Sequence, residues 1–180
     1  MANEEDFDLI NRFIGGDETA YNKLVKKYQK RIYWQARQML GNHHDADEIT
    51  QEVLLVIYRK INGFNFLSSF YTWVYKIVNT RCLNEIKRRN IRKFFSIDDD
   101  NVLELRNERD FIYDIETKEK IKTITNALQK IPVKQREVFV LRNFNDLSYE
   151  EISQMTGKSV GGLKANYFHA LRKVLELTNE

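Results

Sequence analysis

Only one cysteine, Cys82, and one proline, Pro132, occur in this 180-residue chain, and glycine is confined to seven positions. A single thiol cannot form an internal disulfide, so a reducing compartment is its natural setting. So few glycines and prolines argue against a turn-rich β architecture and for helices. No apolar run approaches the roughly 20 residues that a membrane span requires, and no basic-apolar-small leader opens the chain. The expectation is therefore a cytoplasmic protein without membrane insertion. A large excess of one charge is also missing: the net charge is only +3, and its distribution carries more information than its sum. Paired carboxylates, a nucleophile triad and a phosphate-cradling loop are absent too, so no catalytic residue, small-molecule substrate or cofactor is expected and an enzyme is disfavoured.

What the chain does have is concentrated in residues 64–93. The first half of that stretch carries Phe64, Phe66, Phe70, Tyr71, Trp73 and Tyr75. The second carries Arg81, Lys87, Arg88, Arg89, Arg92 and Lys93 against a single acid, Glu85. Aromatic faces stack on bases, and cations neutralise phosphates while releasing counterions. The same residues also suit an amphipathic helix with an aromatic core stripe and a basic, solvated end.

Periodicity before this stretch predicts helices. Phe7, Ile10, Phe13 and Ile14 form one face, with Gly15-Gly16 as the stop and Asp17 as cap of the next helix. Leu24, Tyr28, Ile32, Ala36 and Met39 line a second face that ends at Gly41. Asp45 with Glu48 reads as a capping box for a third helix, with Ile49, Val53 and Ile57 inward until Asn62-Gly63. A fourth starts near Ser69. His43, His44, Asp45, Asp47 and Glu48 are metal-ligand types, but capping explains the acids and no second cluster supplies further ligands, so no metal is expected. Cys82 has no partner spaced for nucleophilic work and reads as a small buried hydrophobe.

Residues 94–119 hold nine acids against three cations, a net −6. Periodicity fades within them, as in a linker. Fully extended they reach at most ~90 Å, against about 70 Å for two turns of B-DNA.

Beyond this, Ile121, Ile124, Leu128 and Ile131 form a helical face closed by Pro132, which suits the first position of the next helix. Ser148 and Glu151 form a capping box, and Gly157 suits a left-handed helix end. Ser159 caps a last helix from Val160 to about Leu175. Two short helices around a glycine-containing turn make a helix-turn-helix, whose second helix enters the major groove. Lys158, Lys164, Arg172 and Lys173 are unopposed by acid until Glu176, and Asn166 and His169 add groups able to meet bases or phosphates. The alternative is an αα-hairpin inside a bundle, against which Gly161-Gly162 argues.

Four segments carry a resemblance. They are A-R-Q-M-L-G-N-H-H-D-A-D-E-I-T-Q-E-V at 36–53; Phe64, Phe70, Thr72, Trp73, Val74, Tyr75, Ile77, Val78 and Asn79; A-L-Q-K-I-P-V-K-Q-R-E-V-F at 127–139; and L-S-Y-E-E-I-S at 147–153 with S-V-G-G-L-K at 159–164. Together they resemble the extracytoplasmic-function (ECF) sigma factors, promoter-recognition subunits of bacterial RNA polymerase. The resemblance implies an all-α chain of two small helical domains, a four-helix amino-terminal bundle (1–93) and a carboxy-terminal helix-turn-helix domain (120–180), joined by the acidic linker (94–119). It implies three partners: RNA polymerase core, promoter DNA and an anti-sigma factor. Asp45, Asp47, Glu48, Gln51 and Glu52 would face the clamp helices of the polymerase's largest subunit. Phe64, Phe70, Tyr71, Thr72 and Trp73 would open the minus-ten element and hold a flipped base, while Asn79, Thr80, Asn84, Lys87 and Arg88 line the adjoining DNA face. Lys158, Ser159, Lys164, Asn166, His169, Arg172 and Lys173 would serve the minus-thirty-five element. The linker would thread towards the active centre. Two positions depart from the family pattern: the loop 65–69 lacks the usual Gly-Asp, and the reading helix is poor in arginine. A stand-alone helix-turn-helix regulator, or a helical adaptor, are the other readings of the same residues.

Overall fold

In the computed structural model, residues 2–95 and 115–178 are described, and they contain helices and no strand. The order is α1 (Ala2–Ile14), α2 (Glu18–Leu40), α3 (His43–Lys60), a 3-10 turn (Ile61–Gly63), α4 (Phe70–Phe95), α5 (Ile115–Gln129), α6 (Val133–Asn143), α7 (Tyr149–Thr156) and α8 (Val160–Thr178). The expected all-α class is observed. Residues 96–114, most of the anticipated acidic linker, lie outside the described residues.

Local chemistry sets the boundaries. Asp17 caps α2 by accepting the Thr19 amide at 3.0 Å and the Thr19 hydroxyl at 2.5 Å, and Arg12 pairs with it at 2.7 Å. Those bonds, Thr19 first and Arg12 second, hold the Asp17 carboxyl down at about 2. Because the folded value lies below the unfolded one, the stabilisation is complete above the ordinary carboxylate range and disappears as pH falls through about 2. A carbon-detected NMR titration is expected to find Asp17 still ionised at pH 3; a midpoint near 3.8 would remove this cap contribution.

Helix α3 starts earlier than expected. Asn42, not Asp45, is the cap, its side-chain oxygen accepting the Asp45 amide at 2.9 Å. The Asp45 carboxylate is instead bonded by the Asn42 amide group and by Arg89. Ser148 and Glu151 form the reciprocal box at α7, and Gly157 closes that helix at φ +72°. Pro132 stands just before α6 as its cap, one position earlier than expected, and α8 runs past Leu175 to Thr178.

Helix α2 is the centre of the fold: α1, α3, α4, α5 and α6 all pack on it. Leu24, Ile32, Met39, Val53, Val74 and Val78 are among the core residues of the first half. Cys82 is buried with them, and burial pushes its thiol up, away from the reactive thiolate. In the second half α6 packs against α8, around Val138, Leu141, Ile152, Leu163 and Val174.

The two halves are bonded to one another by buried polar groups. Arg136 on α6 donates at 2.7 Å to the Met39 carbonyl, one of the α2 carbonyls left without an intrahelical donor. Gln129 donates to the Gln38 carbonyl at 3.0 Å, and the Thr125 hydroxyl to the Gln38 side chain at 3.0 Å. Gly41 ends α2 at φ +85°, and a Cβ there would lie 2.6 Å from the Gln129 side chain. That position therefore needs glycine twice, for its backbone and for the approach of α5.

Candidate nucleic-acid interface

The acidic residues of α3 divide between inside and outside. Asp45 is partly buried under Arg89, whereas Asp47, Glu48, Gln51 and Glu52 are exposed. Glu48, Gln51, Glu52 and Leu55 recur at helical spacing, so they share one face. Leu55 is 55% exposed and Tyr58 is 44% exposed. These two apolar members were missed because their period matched no separate pattern; a large apolar residue within an acidic helical stripe was the available signal. Glu52 also lies 3.7 Å from Arg81 on α4.

The aromatic stretch turns largely inward. Phe64 is 4% and Phe70 1% exposed, and Tyr75 is equally buried. Trp73 is half-buried, with its ring 5.5 Å from Phe70 in a stacked arrangement and 5.5 Å from Phe64. Tyr71 lies edge-on to Tyr75 with ring centroids 4.0 Å apart, and its hydroxyl donates to the Asn145 carbonyl. Burial raises the Tyr71 phenol well above its usual range. Thr72 is tied into the α4 start, its amide donating to Ser69 Oγ at 3.0 Å. Phe64 and Phe70 thus build the wall of the site rather than its surface, because each meets several other rings at 5–6 Å.

Along α4, Thr80, Asn84, Lys87 and Arg88 are exposed on one face. Glu85, the lone acid, draws in its cationic neighbours: Arg88 at 2.6 Å, Arg89 at 3.2 Å and Arg92 at 3.9 Å. Arg89 is turned inward to Asp45 and the Leu40 carbonyl, so it serves the fold. Lys87 has no ion pair among the described residues. Asn79, immediately before Thr80 but on the inner face, is buried, and its amide donates to Glu137 on α6 at 2.8 Å.

In the second half Ser159 caps the last helix, accepting the Gly162 amide at 3.2 Å. Lys164, His169, Arg172 and Lys173 are exposed, and Lys164 sits 5.7 Å from the Tyr149 ring centroid. Asn166 is partly withdrawn, donating to the Gly162 carbonyl at 2.8 Å. Arg172 and Lys173 both face Glu176, at 3.7 and 3.0 Å. Lys158 is paired with the same Glu137 carboxylate that holds Asn79. Gly161, Gly162, Ala165, Phe168 and His169 make up the exposed outer face, with Phe168 61% exposed. The predicted DNA groups of the two halves are therefore partly joined, through Glu137, rather than displayed on one open surface.

The family comparisons agree with this geometry. The family model described as Sigma-70 region 2 matches residues 24–91, and that described as Sigma-70, region 4 matches 121–174. The RNA polymerase sigma-H factor of Pseudomonas aeruginosa is 29% identical over 177 residues, covering 94% of this chain and 92% of that protein. The ECF RNA polymerase sigma factor SigW of Bacillus subtilis is also 29% identical, covering 89% and 91%. Among solved structures, the fold is similar to the sigma factor RpoE of Bartonella quintana, in complex with the anti-sigma factor NepR. The TM-score there is 0.71, with 18% identity over 88% of this chain and 96% of that one. CnrH, in complex with the cytosolic domain of CnrY, gives a TM-score of 0.70 with 19% identity over 97% of both chains. With a region 2 in its first half, a region 4 in its second and full-length relatives of that type, the chain belongs to the ECF sigma factors.

Proposed function

We propose that this chain binds bacterial RNA polymerase core, directs it to promoter DNA and promotes strand opening there, working in the cytoplasm as an initiation factor and not as an enzyme. The division into 1–93, 94–119 and 120–180 belongs to the same reading. The observation that carries it is the exposed polar and basic row Thr80, Asn84, Lys87 and Arg88 on α4, the helix that starts at the aromatic-walled loop. Cations beside a loop with rings fit an opened strand better than an undisturbed duplex. The exposed stripe Glu48, Gln51, Glu52 and Leu55 on α3 offers core a mixed acidic and apolar face. Helix α8 offers Lys164, His169, Arg172 and Lys173 to the minus-thirty-five element, with Lys158 and Ser159 at its entry and Asn166 behind them.

In the arrangement described, Asn79 and Lys158 are both engaged by Glu137. Only the Asn79 bond crosses between the halves, so contact of Asn79 with DNA requires that bond to break and favours their separation on promoter binding, whereas Lys158 is released within the second half. An anti-sigma factor that favours the packed arrangement would keep the chain silent. That partner rests on the relatives RpoE and CnrH, which were solved with NepR and CnrY.

The decisive experiment is run-off transcription with purified core on a genomic library. Discrete promoter-specific transcripts are expected; a core that stays promoter-blind refutes the proposal. Lys87→Ala is expected to weaken promoter binding and to lower the slope of log affinity against log salt by about one unit, as for one lost phosphate contact. An unchanged slope would remove Lys87 from the interface.

A further inference from the structure

Helix α4 packs against α2 and α3 and pairs Arg88, Arg89 and Arg92 with Glu85 on one side. A different face carries Ile86, Lys87, Asn90, Ile91 and Phe94, at the three- and four-residue spacing that aligns side chains along a helix. With Val133 and Lys134 at the start of α6, these residues line a groove of about 480 Å³. Its floor is apolar, and Ile91 is 49% exposed there. The polar groups at its rim are Lys87, Asn90 and Lys134, and no acid lines it. Neither lysine has an ion pair among the described residues. The acids on the same two helices are engaged elsewhere: Glu85 by the arginines, and Glu137 by Asn79 and Lys158.

An occupant of this groove has to be apolar at its centre and acidic at its edges. Residues 96–114 of the chain itself, which lie outside the described residues, have that order. They hold seven acids against Arg106 and Arg109, and Val102, Leu103 and Leu105 stand between Asp98-Asp99-Asp100 and Glu108. The lengths also fit. Leu103 is eight residues beyond Phe95, where α4 ends, and eight residues reach up to about 27 Å. The groove side of α4 between Ile86 and Phe94 measures only about 12 Å. The ten residues from Leu105 to Ile115 reach up to about 34 Å, more than the roughly 22 Å length of α5.

We propose that in the free chain residues 102–105 dock in the groove between α4 and α6, with Leu103 and Leu105 on its floor and the flanking acids beside Lys87 and Lys134. Lys87 belongs to the exposed row assigned to DNA phosphates, so the docked linker competes with DNA for that cation. Core polymerase, into which the linker is expected to thread, withdraws it from the groove and frees Lys87. The docking stands on the groove and its charge; its consequence for DNA rests on the sigma-factor reading. Burial of two leucines corresponds to at least about tenfold in the docking equilibrium.

The test uses methyl NMR of the free full chain with a soluble paramagnetic agent, which relaxes methyl groups open to solvent. Ile14, 46% exposed on α1, is the reference, since its exposure matches that of Ile91. In the unsubstituted chain Ile91 is expected to relax far more slowly than Ile14 and to show NOEs to the Leu103 and Leu105 methyls. The double variant Leu103→Ser with Leu105→Ser should bring Ile91 to the Ile14 value, and Lys134→Glu should move it the same way. Phe111→Ser with Ile112→Ser should leave it protected. The first double variant should also raise affinity for a minus-ten nontemplate-strand oligonucleotide, by less than about tenfold, and the gain should vanish when Lys87→Ala is added. Equal relaxation of Ile91 and Ile14 in the unsubstituted chain overturns the docking. So does protection that survives the Leu103 and Leu105 substitutions; if it grows with protein concentration, the occupant is a second copy. Release by the Phe111 and Ile112 pair instead overturns the assignment to 102–105. An affinity gain that persists without Lys87 overturns the competition. Docking seen by NMR alongside a core that stays promoter-blind sinks the sigma-factor reading alone, so the two failures are distinct.

Discussion

Arg136→Ala is expected to lower folding stability by about 3 kcal/mol, the largest single-residue effect on the fold foreseen for this chain. The guanidinium is buried and donates to the Met39 carbonyl at 2.7 Å, the Gln129 side-chain oxygen at 2.5 Å, the Gln129 carbonyl at 3.1 Å and the Ile131 carbonyl at 3.4 Å. Truncation removes the donors and leaves several acceptors inside. Each buried acceptor without a partner costs about 1–3 kcal/mol, and water entering the vacated space offsets part of the sum. For a chain of this length the loss corresponds to a fall in melting temperature of roughly 6–12 °C. Arg136→Lys is expected to recover only part, since three donors on one nitrogen cannot reproduce the planar fork. Urea unfolding followed by circular dichroism measures this directly. A change below about 1 kcal/mol would mean that the seam between α2 and α6 is already open in solution.

Glu137→Ala is expected to have the largest effect on nucleic-acid binding by the free chain. One Glu137 oxygen accepts from Asn79 of the first half, and the other pairs with Lys158 of the second. A carboxylate in that position satisfies two groups assigned to opposite ends of a promoter. Of the two, only the Asn79 bond crosses between the halves, and a hydrogen bond to a charged group contributes about 1.5–3 kcal/mol towards holding them together. When only a fraction of molecules is competent, apparent affinity falls by that fraction. Removing the carboxylate should therefore raise affinity for a minus-ten nontemplate-strand oligonucleotide about ten- to hundredfold without core. Scattering should show a larger radius of gyration for the variant. Glu137→Gln, which still accepts from Asn79 but loses the ion pair, should fall between the two. Unchanged affinity with an unchanged radius would show that Glu137 does not govern the packing of the halves. Thermal melts of both variants distinguish separation of the halves from unfolding of the second one.

The helices, their caps and their buried stripes were legible in the sequence because they depend on neighbours within about four positions. Asp17, Gly41, Ser148 with Glu151, and Gly157 all act where local rules put them. The start of α3 was misjudged by three residues, since Asn42 and Asp45 are both capping types and only the pull of Arg89, 44 positions away, takes Asp45 into another role. Composition identified the aromatic and basic stretch, and motif spacing identified the family. Neither could say which rings face outward, because that is set by the backbone at Phe66 and by the ring of Phe7 from a distant helix.

By itself, then, the order of residues determined the helical class, the placement of most helices and the membership in a sigma-factor lineage, all of which rest on short-range periodicity and spacing. The three-dimensional packing alone decided that Asn79 and Lys158 meet at Glu137, that Arg136 closes the end of α2, and that Leu67 rather than Phe64 stands at the surface. The reason is physical: these outcomes depend on which groups are withdrawn from water, and burial is a property of helices packed together, not of any one helix.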